Sequence, residues 1–288
     1  MLAFDADMRA PFERIDPRGP ELPVIVEVPH ASLRLAPEFL DVLAAPARSI
    51  ARDADLYVDA LYEDAPTEGA TVLVASFSRY VIDVNRAEGD VDGEVVEGGR
   101  PDVRLHHGLV WRTTSDGEPA LTRRLTVQEL RNRLDSVWRP YHSELAAIVE
   151  RKRAQFGIAI ILAAHSMPST ERSCSPGRTG RSGVDHRADV VPGSRGRKSA
   201  AACFIDAVES HALGCGWTVR HDDPYAGGFT TQHYGRPTEG VHAVQVELAR
   251  RLYLDEDTLQ PLPGFDVVRA WCRGLVARLG QIAVASST

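Results

Sequence analysis

Several things that would point to a familiar class of protein are missing from this chain. Its four cysteines, at positions 174, 203, 215 and 272, include no Cys-x-x-Cys pair, which argues against a disulfide framework and against a thiolate zinc site. No apolar run approaches the roughly 20 residues that a helix needs to cross a bilayer, so no membrane partner is expected. The first residues, Met1-Leu-Ala-Phe-Asp-Ala-Asp7, lack a basic segment followed by an apolar core. A secretory signal is therefore not expected, and the cytoplasm is the expected compartment. Basic excess is missing as well: the net charge is −7, which turns attention from nucleic acid to small molecules. Catalytic templates are absent too. There is no His-Glu-x-x-His and no Gly-x-Ser-x-Gly elbow. Gly193-Ser-Arg-Gly-Arg-Lys-Ser199 is too short in its spacing for a phosphate loop.

What is present is ordinary for a globular chain. The 288 residues, 43% hydrophobic and 25% charged, suit one large domain with a sizeable core. Residues 1–21, with Pro11, Pro17 and Pro20, are predicted to be an irregular lead-in. Leu22-Pro-Val-Ile-Val-Glu-Val-Pro29 predicts a buried strand that opens into a loop at His30. A helical region is expected over 37–63, with Asp55 and Asp59 on one face. Thr71-Val-Leu-Val predicts a second strand. Thr126-Val-Gln-Glu129 is a capping box that starts a long helix, kinked at Pro140. Gly157–Ala164 predicts a central strand ending in His165-Ser166. Residues 170–198, dense in Arg, Gly and Ser, are expected to form a long mobile loop. A helix at about 199–213, strands at 217–221 and 241–248, and an amphipathic helix over 265–285 complete the order. Strands that alternate with helices, without repeats, predict an α/β domain over 1–288 with a mixed, largely parallel sheet.

Three strands end in groups able to do chemistry: His30, His165 and Glu247. Ends of parallel strands converge on one cleft. Two imidazoles and a carboxylate are the usual ligands of a catalytic zinc with one position left open, and a further carboxylate can serve as base. Taken singly, each is better explained as a structural or solvated residue; it is their convergence that points to a site. A fourth element, Ser78-Arg79-Tyr-Val-Ile-Asp83-Val-Asn85-Arg86, carries two guanidiniums among apolar residues. Each requires an anionic partner, either Asp83 and other acids of the chain or a carboxylate ligand. His106-His107 and His142 could line a pocket, though exposed positions on loop and helix are the plainer expectation.

Val28-Pro-His30-Ala-Ser, Asp55-Leu-Tyr-Val-Asp59, Ser78–Arg86, Trp138-Arg-Pro-Tyr-His142, His165-Ser-Met-Pro168, the segment Asp223-Pro-Tyr-Ala-Gly-Gly-Phe-Thr-Thr-Gln-His233-Tyr-Gly-Arg236-Pro237 and Gln245-Val-Glu247 together resemble the N-formylglutamate amidohydrolase family. The match runs in order from about residue 22 to 257. The resemblance implies a three-layer α/β/α fold like that of zinc carboxypeptidases and aspartoacylases, with a single zinc. It implies hydrolysis of N-formyl-L-glutamate to formate and glutamate, late in histidine degradation. It assigns His30, His165 and Asp55 to the metal, Glu247 to the general base, and Asn85 with Arg86 to the α-carboxylate of the substrate. Arg79 would suit the side-chain carboxylate, and His233 and Arg236 belong to the family's pocket loop. One departure stands out: where the family carries Asp-x-His-Ser, this chain has Ala163-Ala-His165-Ser166. Loss of an orienting carboxylate lowers metal affinity by about tenfold to a hundredfold. Another N-acyl amino acid as substrate, and a catalytically silent binder of acidic small molecules, are the alternatives this leaves.

Overall fold

A computed structural model describes residues 10–100, 102, 105–170 and 186–286. In chain order the strands are β1 (Phe12–Ile15), β2 (Val24–Val28), β3 (Thr71–Ala75), β4 (Ala159–Met167), β5 (Val190–Gly193) and β6 (Val241–Ala249). The α-helices are α1 (Ala47–Asp53), α2 (Val58–Leu61), α3 (Val127–Arg133), α4 (Arg139–Phe156), α5 (Ala202–Leu213), α6 (Phe229–Tyr234) and α7 (Phe265–Ser286). They surround one six-stranded sheet of order β1-β3-β2-β4-β6-β5. The inner four strands are parallel, and the two edge strands run antiparallel to their neighbours. The α/β class with a mixed, largely parallel sheet is thus as the sequence predicts.

Alternation along the inner strands builds both the core and the site. Even-numbered residues of β2, β4 and β6, such as Val26, Leu162 and Val246, pack with α5 and α7 in one apolar cluster. Odd-numbered residues begin the same way: Ile25, Ile161 and Ala243 pack against α4 in a second cluster. Towards the C-terminal ends the odd positions turn polar, and Glu27, His165, Gln245 and Glu247 are all buried there. The register of β4 with β6 sets His165 directly opposite Glu247. One end of the sheet is therefore a polar floor inside an otherwise apolar domain.

Four local expectations need correction. The lead-in contains β1, an edge strand whose pattern is hidden because it has a single neighbour and two exposed residues, Glu13 and Arg14. The helical stretch 37–63 is broken into a 3-10 turn at Pro37–Phe39, α1 and α2. Tyr57, at φ 64°, stops any continuous helix there, so Asp55 is buried while Asp59 points to solvent. The sixth strand is β5 rather than 217–221, of which Val219 alone makes a bridge to Val190. That strand lies inside the segment expected to be a mobile loop, whose residues 171–185 fall outside the described ones. The helix that begins at the capping box runs on past Pro140, as expected. A π-turn at Leu134–Trp138 precedes it, with the Arg139 N–H bonded to the Leu134 carbonyl, which absorbs the missing N–H of proline. The capping box is as predicted: Thr126 Oγ1 accepts the Glu129 N–H, and the Glu129 carboxylate accepts the Thr126 N–H. Among the described residues no helix is long and apolar enough to cross a membrane.

Leu162 is fully buried in the middle of β4. Leu162→Ala should lower the unfolding free energy by about 2–5 kcal/mol, seen as a lower denaturant midpoint at an unchanged m-value. A loss below about 1 kcal/mol would mean that β4 is not the packed centre of the sheet.

Candidate active site

His30 follows β2, and its carbonyl accepts the Asp55 N–H at 3.0 Å. That backbone bond docks the loop between α1 and α2 against the strand end. Asp55 Oδ2 then lies 3.0 Å from His165 Nδ1 and 3.6 Å from His30 Nδ1. The two Nδ1 atoms are 3.3 Å apart. One ligand atom from each of the three buried residues falls within 4.8 Å of the others. Two imidazole nitrogens and a carboxylate oxygen are a donor set suited to a divalent ion such as zinc.

Each member is held from behind. His30 Nε2 donates to Asp83 Oδ1 at 2.7 Å, which leaves Nδ1 as the free lone pair. Asp83 also accepts the Asn85 N–H at 2.9 Å and Trp111 Nε1–H at 3.1 Å. Burial pushes the Asp83 carboxyl up, but His30 and Arg86 outweigh it and hold it far below the usual carboxylate range. Asp55 behaves alike: burial raises it, while the charge of Arg79, the hydrogen bond from His165 and the nearby His30 imidazole hold it well below its ordinary value. Arg250 supports Asp55 from the far side. It donates to the carbonyls of Arg52 and Ala54 at 2.6 and 2.7 Å and lies 3.4 Å from Asp55 Oδ1. These carbonyls belong to the open C-terminal end of α1.

Glu247 shares the polar floor. Gln245 Nε2 donates to its Oε1 at 2.8 Å, and the Gly228 N–H fixes Gln245 in turn at 2.9 Å. Burial and the charge of Asp55 raise the Glu247 pKa, and His165, Arg79 and His30 only partly offset them. Gly228 cannot be larger, because a Cβ there would meet the Asn85 amide at 2.4 Å.

A cavity of about 450 Å³ opens over these groups. His30, Asp55, Arg79, Asn85, Arg86, His165 and Glu247, all singled out in the sequence, line it together. Arg79 Nη2 lies 3.6 Å from Asp55 Oδ2, its guanidinium sits 5.1 Å from the Trp111 ring centre, and its buried Nε has no partner among the described residues. Arg86 is anchored by Nε to the His107 carbonyl and by Nη1 to the Asn85 carbonyl. His233 lines an adjoining cavity, with Arg86 and Arg195, and stacks on Phe229. Arg236 lines neither cavity and pairs with Glu239 at 2.9 Å.

Sequence reasoning passed over Arg52, Tyr225 and Arg250 on the cavity wall. For His107 and His142 it left pocket lining open and took exposed positions as the plainer expectation. His107 lines the cavity, stacked 4.2 Å from Trp111. His142 is buried between the Val84 carbonyl and the Tyr234 hydroxyl, and burial pulls its pKa down to about 4. Ser194, His221 and Glu209 form a Ser–His–acid chain at 2.8 and 2.7 Å. Ser194 is fully buried, however, and its Oγ accepts the Arg197 N–H, so this chain pins the loop after β5 rather than presenting a nucleophile.

Arg250→Met should lower the stability of metal-free protein by about 3–5 kcal/mol, since it strips a buried carboxylate and two carbonyls of their donor. Thermal unfolding measures this. A loss within about 1 kcal/mol would show that Asp55 does not depend on Arg250.

The family model for N-formylglutamate amidohydrolase matches residues 22–254. An N-formylglutamate deformylase of Pseudomonas putida is 34% identical over 243 residues, covering 82% of this chain and 83% of that protein. The deformylase of Pseudomonas aeruginosa is 32% identical over 241 residues, with the same coverage. The crystal structure of an N-formylglutamate amidohydrolase from Ralstonia eutropha superposes with a TM-score of 0.86 at 31% identity, over 96% of this chain and 99% of that one. A protein of Agrobacterium tumefaciens, at 18% identity and a TM-score of 0.66, shares the fold over 97% of each chain. The chain belongs to the N-formylglutamate amidohydrolase family.

Proposed function

We propose that this protein hydrolyses N-formyl-L-glutamate to formate and glutamate, a step of histidine degradation, with one divalent ion, zinc, held by His30, Asp55 and His165. The observation that carries the proposal is the convergence of three ligand atoms within 4.8 Å, in a cavity that Glu247 and several guanidiniums also line. Held by these three residues, zinc would supply Lewis acidity, polarising a carbonyl and acidifying water.

The remaining work falls to the chain's own side chains. Glu247, steadied by Gln245, takes a proton from water as the water oxygen bonds to the formyl carbon. The same carboxyl then delivers that proton to the amide nitrogen, the C–N bond breaks, and formate and glutamate separate. Cationic or imidazole donors of the cavity wall are available to the developing oxyanion. Arg86, fixed by two carbonyls, offers the rest of its fork to the α-carboxylate, with Asn85 beside it. Arg79, on the cavity wall, would suit the side-chain carboxylate, and orientation by two such pairs supports the attack geometry. His233 lines the adjoining cavity, which shares Asn85 and Arg86 with this one. The outward position of Arg236 argues for a structural role there.

Chelator-treated protein should lose formate release and regain it with one equivalent of zinc. Binding of N-formylglutamate without turnover in the zinc-loaded protein would instead support a silent binder. His30→Ala and His165→Ala should each abolish stoichiometric zinc binding, because each removes one of three protein ligands. Metal analysis after gel filtration reads this directly, and a variant that keeps its zinc is not missing a ligand.

Glu247→Gln should retain zinc and substrate affinity while kcat falls by roughly a hundredfold or more. Base catalysis requires the deprotonated carboxylate, so wild-type kcat should fall as pH drops through the raised Glu247 pKa. That acid limb should vanish in the variant. An unchanged limb would assign it to another group.

A further inference from the structure

Glu27 interrupts the apolar run of β2 and is completely buried. Its Oε1 accepts hydrogen bonds from the Tyr141 hydroxyl at 2.9 Å and the Thr230 hydroxyl at 3.1 Å. Its Oε2 is buried and, among the described residues, has no partner. A buried acceptor left unsatisfied is costly and calls for an explanation. Burial pushes this carboxyl's pKa up, and the charge of His165 is the first influence that pulls it back.

The register shows what lies near. Glu27 pairs with Ala163 across parallel strands β2 and β4, so the two side chains share a sheet face. Ala163 and His165 are two apart on β4 and share that face as well. Glu27 thus stands one row beneath His165, and in that row β4 contributes only a methyl group.

Proton bookkeeping at His165 then leaves a gap. His30 donates through Nε2 to Asp83, so its Nδ1 carries no proton while the ring is neutral. His165 Nδ1 faces that lone pair at 3.3 Å and Asp55 Oδ2 at 3.0 Å, which places a proton on His165 Nδ1 in the metal-free protein. Ligation through Nδ1 displaces this proton, and the neutral ring then carries its hydrogen on Nε2. Nε2 lies 3.2 Å from Asn85 Nδ2. Asn85 cannot turn its oxygen there without giving up the Thr230 N–H, which its Oδ1 accepts at 3.0 Å. The ligating tautomer therefore has a donor at Nε2 and no acceptor on Asn85 to receive it.

We propose that Glu27 is a positioning residue for the metal centre, and that its Oε2, not bonded to the ring in the metal-free protein, becomes the acceptor for the Nε2–H tautomer of His165 when that ring ligates. Ligating histidines are commonly oriented in this way by a carboxylate. The inference rests on the proposal that His165 ligates a divalent ion. Glu27→Gln isolates the role, because the amide keeps an oxygen for Tyr141 and Thr230 and replaces the free acceptor with a donor.

Zinc affinity, measured by competition with a chromophoric chelator, should fall by about tenfold to a hundredfold in Glu27→Gln. The melting temperature of the metal-free protein should not fall. Moving the carboxylate across the strand pair, in Glu27→Gln combined with Ala163→Asp, should recover most of the lost affinity. A role confined to anchoring Tyr141 and Thr230 predicts wild-type affinity in Glu27→Gln. Wild-type affinity there, or a loss that Ala163→Asp leaves unrepaired, would overturn the proposal while leaving the metal site standing. Absence of zinc binding in the wild type would overturn both.

Discussion

The Asp55 carboxylate is the constraint on which the site is built. It is buried, faces two imidazoles, and has guanidiniums near both oxygens: Arg79 at 3.6 Å and Arg250 at 3.4 Å. A carboxylate so placed cannot be left without compensation. Satisfying it ties together parts of the chain far apart in sequence. The Asp55 N–H caps the end of β2 at His30, Arg250 closes α1, and the β4–β6 register brings His165 opposite Glu247. Local backbone and long-range charge therefore specify the same geometry.

Two carboxylates of this network, Asp55 and Glu247, are pushed in opposite directions. Asp55, flanked by Arg79 and both imidazoles, is held ionised and suits a ligand. Glu247, with burial dominant and Asp55 nearby, is raised towards the range in which a carboxylate can both take and return a proton. The floor of the cavity thus attracts a cation, while Arg79, Arg86 and Arg52 on its wall favour an anionic substrate. The two tendencies coexist because Glu247 lies on β6 with Asp55 docked beside the strand ends, while the guanidiniums come from α1 and from the segment after β3.

Much of this was legible in the sequence, for identifiable reasons. His30, His165 and Glu247 end apolar runs, so their convergence follows from a parallel sheet. Arg79, Asp83, Asn85 and Arg86 are polar groups in apolar company that must find partners, and they do so around one cavity. Less was visible where tertiary context overrides local pattern. Nothing nearby in sequence marks Arg250 as the closure of α1, because its partners lie about 195 positions away. β5, four residues in an Arg- and Gly-rich region, becomes a strand by pairing with β6. The break at Tyr57 removes Asp59 from the site although its spacing from Asp55 suits a helix. Arg236 lies in a stretch specific to the family yet turns to Glu239, and no rule of spacing foretells that.

The central claim is that one divalent ion is shared by the facing atoms of His30, Asp55 and His165. Anomalous diffraction from crystals of zinc-loaded protein, with data on both sides of the zinc edge, tests it most directly. Expected is a single peak bonded to Nδ1 of His30, Nδ1 of His165 and the Asp55 carboxylate, with Glu247 nearby but not ligating. A peak bound through Glu247, or one elsewhere in the cavity with Asp55 still paired to both histidines, would contradict it.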